Sequence, residues 1–216
     1  MIKLYGSIVS RATRNLWMLE ELGVEYEHVS LDWAKQENRS PEYLKINPAG
    51  KVPLLVGGNA VMSESLGINL YLAQKFEGGL WPEADAGRAL CIQWSFWAAA
   101  ELEPLAYGRL REFVFKKEEE RDEALVDDFA QRTGPLMTLL AQALAGGDYL
   151  VGDSFSVADL NVACVMEYLD RSDFDLSPWP IVADWYARSY GRPANTKIQK
   201  LRAPAAAAMM KQLRGE

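Results

Sequence analysis

The stretch Asn47–Ser65 constrains the fold more tightly than any other part of the chain. Lys51-Val52-Pro53 stands at the mouth of the apolar run Leu54-Leu55-Val56. Gly57-Gly58-Asn59 follows, and Ala60-Val61-Met62 runs back toward Ser63-Glu64-Ser65. Two apolar runs joined by Gly-Gly-Asn form a hairpin signature. Proline has no N–H to give a sheet ladder, so Pro53 must begin its strand or lie on an edge. Val52-Pro53 is a candidate cis peptide. Such a bond would leave the Val52 N–H and C=O off the ladder and open to the backbone of a ligand. Ser63-Glu64-Ser65 then opens a helix running from Leu66 to about Phe76, whose first N–H groups suit an anion. Read alone, the stretch is equally an ordinary hairpin capped into a helix by Ser63.

The residues before it complete a domain. Ile2 to Tyr5 is a strand candidate ending at Gly6. Leu16, Trp17, Leu19 and Leu22 carry helical spacing up to Gly23, a natural stop, with Ser10 where the N-cap should stand. Tyr26 to Leu31 alternates as a strand does. Strand, helix and strand at these lengths make a βαβ unit with parallel strands. Ser40-Pro41-Glu42 starts a short helix. The order is β-α-β-α-β-β-α, a mixed sheet with helices on both faces.

Residues 77–87, rich in Gly and Pro, mark a boundary. The expected domains are 1–78 and 88–216, joined by a linker at 79–87. The second reads as all-helical. Cys91, Trp94, Ala98, Leu102 and Leu105 share one face of a long helix reaching toward Phe115. Asp127 to Ala145 forms another, with Gly134-Pro135 bending it. Ser156 followed by Asp159 is a capping-box variant. The helix after it, Val157 to Asp170, is apolar nearly all round and should be the buried centre of its domain. Pro178 to Tyr190 and Pro193 to Leu201 are further helices. Pro204 is expected to break the chain before the helix-prone tail, Ala205 to Arg214.

Composition excludes several classes of function. A net charge of -7 argues against a nucleic-acid partner, which needs a basic face. Cys91 and Cys164 show no metal spacing, and with His28 as the single histidine a metal site is not expected. The N-terminus lacks the pattern of a signal peptide, and no apolar run reaches membrane-spanning length. A cytoplasmic protein with buried, reduced thiols is expected.

Five motifs, taken in order, resemble the cytosolic glutathione transferases of serine type: Ser10-Arg11-Ala12-Thr13-Arg14, Leu19-Glu20-Glu21-Leu22-Gly23, Lys51-Val52-Pro53, Ser63-Glu64-Ser65 and Ser156-Val157-Ala158-Asp159. The resemblance spans the whole chain. It implies a thioredoxin-like N-terminal domain followed by an all-helical domain, glutathione as co-substrate and a homodimer. It also implies a glutathione S-transferase activity in which the glutathione thiolate attacks an apolar electrophile. Ser10 would be the catalytic hydroxyl, donating to sulfur. The Val52 main chain, ahead of Pro53, would pair with the cysteinyl part. Glu64 and Ser65 would hold the γ-glutamyl end, and Lys51, with Lys35 or Gln36, would face the glycyl carboxylate. Tyr107, Arg111 and Phe113, with Phe115, are candidate walls for the electrophile between the Ser7–Ser10 loop and the first long helix of the second domain.

The physics fits. A free cysteine thiol has a pKa of about 8.5, so little is ionised at neutral pH. Lowering it by about two units takes roughly 2.7 kcal/mol of preferential thiolate stabilisation, within reach of one charge-assisted hydrogen bond and a helix N-terminus. Ser7 and Thr13 are rival hydroxyls, Tyr5 is a rival of another type, and without its context Ser10 is a plain helix cap. The same resemblance leaves open glutathione-dependent disulfide or peroxide reduction, isomerisation, or a non-catalytic glutathione-binding module.

Overall fold

The computed structural model describes residues 1–214, which form two compact units. The first comprises Met1–Gly78 and the chain from Pro193 on; the second is Gly79–Arg192.

In the first unit, strands β1 (Ile2–Tyr5), β2 (Tyr26–Val29), β3 (Leu54–Gly57) and β4 (Ala60–Ser63) make one sheet in the order β2-β1-β3-β4. β1 runs parallel to β2 with Leu4 opposite His28, and antiparallel to β3 with Leu4 opposite Leu55. β3 and β4 form the expected antiparallel hairpin. Helices α1 (Ala12–Leu22), α2 (Pro41–Ile46) and α3 (Ser65–Lys75) complete the predicted order. α1 ends where the sequence indicated: Gly23 takes a left-handed φ of 62°, and its N–H and that of Val24 return to the Glu20 and Leu19 carbonyls. Leu4, Leu16, Trp17, Leu55, Ile68 and Leu72 form the core of this unit.

The last helix, α9 (Pro193–Arg214), belongs to this unit and packs on α1. Its Lys197 ammonium lies 2.6 Å from Glu20, which also accepts from the Tyr26 hydroxyl. Two expectations are corrected here. Residues from 193 on do not group with the helical domain. Pro204 does not break the chain, because one missing N–H is tolerated inside a run of strong helix formers. Gly215 and Glu216, which closed the expected 88–216 span, lie outside the described residues.

The second unit contains α4 (Asp85–Trp97), α5 (Glu103–Phe115), α6 (Glu123–Leu144), α7 (Val157–Asp170) and α8 (Pro180–Tyr190). α4 begins three residues before the expected boundary at Arg88. The long helix read from Cys91 onward is interrupted by a π-helical turn at Ala98–Leu102, which ends two residues before Pro104. A proline there removes the N–H that a regular ladder would need, and a wider turn absorbs the mismatch. α6 starts earlier than expected, where the Asp122 side chain accepts from Leu125 N–H at 3.1 Å, and it continues through Pro135.

α7 is the buried centre. Every residue from Val157 to Leu169 is buried, and the capping box of Ser156 and Asp159 is formed. The Asp159 carboxylate accepts from Leu150 N–H, Trp185 Nε1 and Ser156 N–H and Oγ, each at 2.9 Å. Burial pushes its pKa up while those four donors hold it down.

Candidate functional site

Two candidate residues of the first unit, Ser10 and Val52, meet at Gly6. Its φ of +141° is open to glycine, and a Cβ placed there would lie 2.8 Å from Ala12 Cβ, 3.2 Å from Val52 Cβ and 3.4 Å from Ser10 Oγ. The start of α1, the Ser10 hydroxyl and Val52 thus approach one point because residue 6 has no side chain. His28 Nε2 donates to the Gly6 carbonyl at 2.7 Å and fixes that point from β2. The only histidine therefore has a structural role.

Ser10 stands one residue ahead of its expected position, since the N-cap of α1 falls on Arg11, whose φ and ψ are already helical. The serine hydroxyl still accepts from Ala12 N–H at 3.1 Å, as a capping side chain does, and donates to the Ser7 carbonyl at 2.7 Å. Thr13 is buried and its hydroxyl points to the carbonyls of Ile8 and Ser10, so its one proton is committed to the loop. Ser7 Oγ accepts from Val9 N–H at 3.4 Å, a long contact. The Tyr5 ring leans on Tyr43, with 5.9 Å between centroids.

Val52-Pro53 is cis. Among the described residues the Val52 N–H and C=O have no hydrogen-bond partner. The residue before it is fixed from below: the Lys51 carbonyl accepts from Tyr43 Oη at 2.7 Å and Asn47 Nδ2 at 2.6 Å. The Lys51 side chain is exposed and unpaired among the described residues. Arg39, which sequence reasoning missed, lies against the Ala49-Gly50 loop just ahead of Lys51. Its Nη1 donates to the Ala49 carbonyl at 3.3 Å and lies 2.6 Å from where a Gly50 Cβ would be. No local pattern marks Arg39 as special; its neighbours come from a loop ten residues away. Lys35, an alternative cation, is exposed and sits 3.5 Å from Asp32, and Gln36 is exposed in a left-handed turn.

At the start of α3, Glu64 has φ 71° and ψ 104°, a strained conformation for a residue with a Cβ. It is exposed, and its side chain makes no cap for the helix. Ser65 is buried to 6% exposure. Its hydroxyl accepts from Arg14 Nη1 at 3.2 Å, and its carbonyl from Asn15 Nδ2 at 2.8 Å. The Ser65 N–H heads the helix and has no partner among the described residues. A cradle for an anion results: a free N–H, a hydroxyl with a guanidinium behind it, and the positive end of α3. Arg14 enters the sequence reading only as the last residue of its motif; its partner is 51 residues away.

The remaining candidates lie on α5, in the second unit. The Tyr107 ring is 5.4 Å from that of Tyr168. Arg111 is exposed and Phe115 is 42% exposed. Phe113 is held by two guanidiniums, Arg121 at 4.0 Å and Arg109 at 5.1 Å from its ring centroid, which gives it a packing role. Cys91 and Cys164 are buried thiols that form no disulfide, and burial pushes the Cys91 thiol up. Among the described residues no group of His, Cys, Asp or Glu is placed to hold a metal ion, and no helix is long and apolar enough to cross a membrane.

Comparison with known proteins matches the glutathione S-transferase N-terminal domain to residues 1–74 and the glutathione S-transferase C-terminal domain to residues 104–193. Glutathione S-transferase GstB of Escherichia coli (strain K12) is 32% identical over 202 residues, covering 92% of this chain and 97% of the relative. Glutathione S-transferase 4 of Zea mays is 32% identical over 207 residues, covering 91% of each. Among solved structures, glutathione S-transferase-I bound with lactoylglutathione superposes with a TM-score of 0.84 at 30% identity, covering 93% of this chain and 99% of that one. The theta-class enzyme of Xanthomonas axonopodis pv. citri with glutathione bound gives 0.82 at 31% identity, covering 91% and 95%.

Proposed function

The chain belongs to the glutathione S-transferase family, and we propose that it ionises glutathione beside Ser10 and conjugates it to apolar electrophiles. The peptide lies along Val52, whose unbonded N–H and C=O take the main chain of the cysteinyl residue. Ser65 receives the γ-glutamyl carboxylate through its hydroxyl and N–H, and the exposed Glu64 takes the ammonium. Lys51 and Arg39 face the glycyl carboxylate. The observation that carries this reading is the meeting of Ser10, Val52 and the start of α1 around Gly6, with Arg14 tying α1 to Ser65.

Ser10 has one proton to donate, and in the free protein that proton serves the Ser7 carbonyl. On binding, the hydroxyl exchanges this neutral bond for a charge-assisted one to sulfur, while Ser10 N–H keeps the Ser7 carbonyl paired at 2.9 Å. The thiol proton leaves to solvent and Ser10 keeps its own. The thiolate then forms the new S–C bond as the leaving group departs with its electron pair. Chemistry through a protein cysteine does not suit this chain, because both of its thiols are buried.

Tyr107 and Arg111, one turn apart on α5, select the electrophile. The exposed apolar residues Ile92 and Phe96 of α4, 45% and 67% accessible, support a homodimer, and the two cysteines that form no disulfide support a cytoplasmic, reducing setting. Calorimetric titration with glutathione, followed by conjugation of a reactive aryl halide, tests the reading. Binding with turnover supports it, and absence of binding overturns it. Light scattering reports the dimer.

A further inference from the structure

Beneath Ser65 lies a polar group that the proposed chemistry does not use. Asn15 is wholly buried in α1, and so is Asn69 in α3. Asn15 Nδ2 spends both its protons across the gap, on the Ser65 carbonyl at 2.8 Å and on Asn69 Oδ1 at 2.7 Å. The Ser65 carbonyl can only accept, so the amide is oriented: its nitrogen must face α3. Its oxygen, Oδ1, is then left buried without a hydrogen-bond partner. An apolar residue of similar volume would avoid that orphaned acceptor, so a purely packing role does not account for an amide here. What the amide does achieve is to fix the first turn of α3 against α1, one residue along from Arg14, which holds the Ser65 hydroxyl.

We propose that Asn15 is a positioning residue for glutathione recognition: it sets the Ser65 backbone so that the hydroxyl and N–H of that serine converge on the α-carboxylate of the γ-glutamyl group. The inference rests on the reading of Ser65 given above. Asn15 touches no ligand atom and acts through Ser65. The γ-glutamyl carboxylate is thereby tied to the helix whose start carries Ser10, so that carboxylate and the cysteinyl sulfur are both positioned from one rigid element.

The test pairs a change in the protein with a change in the ligand. 4-Aminobutyryl-cysteinyl-glycine is glutathione without the α-carboxylate. Asn15→Leu and Asn15→Ala are expected to weaken glutathione binding about tenfold, the loss of one well-placed hydrogen-bonded contact, and to leave the decarboxylated analogue within about twofold. The pKa of the bound thiol should not move. Equal loss for both ligands, or no loss in a folded variant, overturns the inference. A parent protein that binds neither ligand overturns the underlying reading instead, so the two failures are told apart. Should both variants fail to fold, the unaltered protein still decides. The side-chain amide resonances of Asn15 should shift on titration with glutathione and stay in place with the analogue; equal shifts, or none, overturn the proposal.

Discussion

Ser10→Ala removes one oxygen with two duties, and the structure separates them. In the free protein Oγ accepts from Ala12 N–H at 3.1 Å and donates to the Ser7 carbonyl at 2.7 Å. Losing a capping acceptor costs about 1 kcal/mol of stability. In the complex the hydroxyl instead donates to the thiolate. A hydrogen bond to a charged group contributes about 1.5–3 kcal/mol, and the neutral bond surrendered at Ser7 is worth about 1 kcal/mol, so the net preference for thiolate is about 0.5–2 kcal/mol. That raises the bound thiol's pKa by about one unit, leaving the contribution of the α1 N-terminus in place. Below that pKa the conjugation rate should fall about tenfold. Above it the deficit should close, because both proteins then hold ionised sulfur. The assay is kcat/KM for an aryl halide across pH, beside ultraviolet titration of the bound thiolate. Ser7→Ala, which loses only a 3.4 Å contact from Val9 N–H, is the control. An unshifted thiol pKa in Ser10→Ala, or a deficit of the same size at every pH, would refute the reasoning.

Other consequences follow from the same geometry. Gly6→Ala places a methyl 2.8 Å from Ala12 Cβ at a φ that alanine resists, so urea denaturation should show a loss of more than about 1 kcal/mol and calorimetry a weaker glutathione site. Gly108→Ala puts a Cβ 2.4 Å from the Phe129 ring, between α5 and α6; a loss of about 1–3 kcal/mol is expected, with partial rescue by Phe129→Leu and little change in glutathione affinity. Glu112 is held below the usual carboxylate range by Lys116, 2.6 Å away, and by Asp122 N–H. Its contribution is therefore present above the unfolded carboxylate pKa and lost as pH falls through the lower, folded value. Lys116 is 40% exposed, so Glu112→Gln should cost less than about 1 kcal/mol near neutral pH. That difference from the parent should vanish in acid, as urea melts at stepped pH would show.

The elements legible in the sequence are those whose signals are local. The hairpin was marked by Gly57-Gly58-Asn59, the end of α1 by Gly23, and the start of α7 by Ser156 and Asp159, whose capping box needs no distant partner. The starts of α4 and α6 differed by a few residues, and the two larger helical differences involve proline. At Pro104 the missing N–H is absorbed by a π-helical turn, and at Pro204 the helix simply continues, because neighbours on either side supply the stability that one absent bond removes. In the candidate site, Ser10, Val52 and Ser65 could be named from short motifs, whereas the residues that hold them could not. Arg14 and Asn15 find Ser65 across fifty residues, and Arg39 reaches the Ala49-Gly50 loop from another turn. Nor does anything in Ser63-Glu64-Ser65 announce the positive φ of Glu64, which tertiary structure imposes.

A crystal structure of the protein with glutathione tests the central claim most directly. The account predicts the Ser10 hydroxyl turned from the Ser7 carbonyl to the sulfur at hydrogen-bond distance, the cysteinyl main chain on Val52, and the γ-glutamyl carboxylate on Ser65. Sulfur facing Ser7 or Tyr5, or a peptide bound away from Val52, would contradict it.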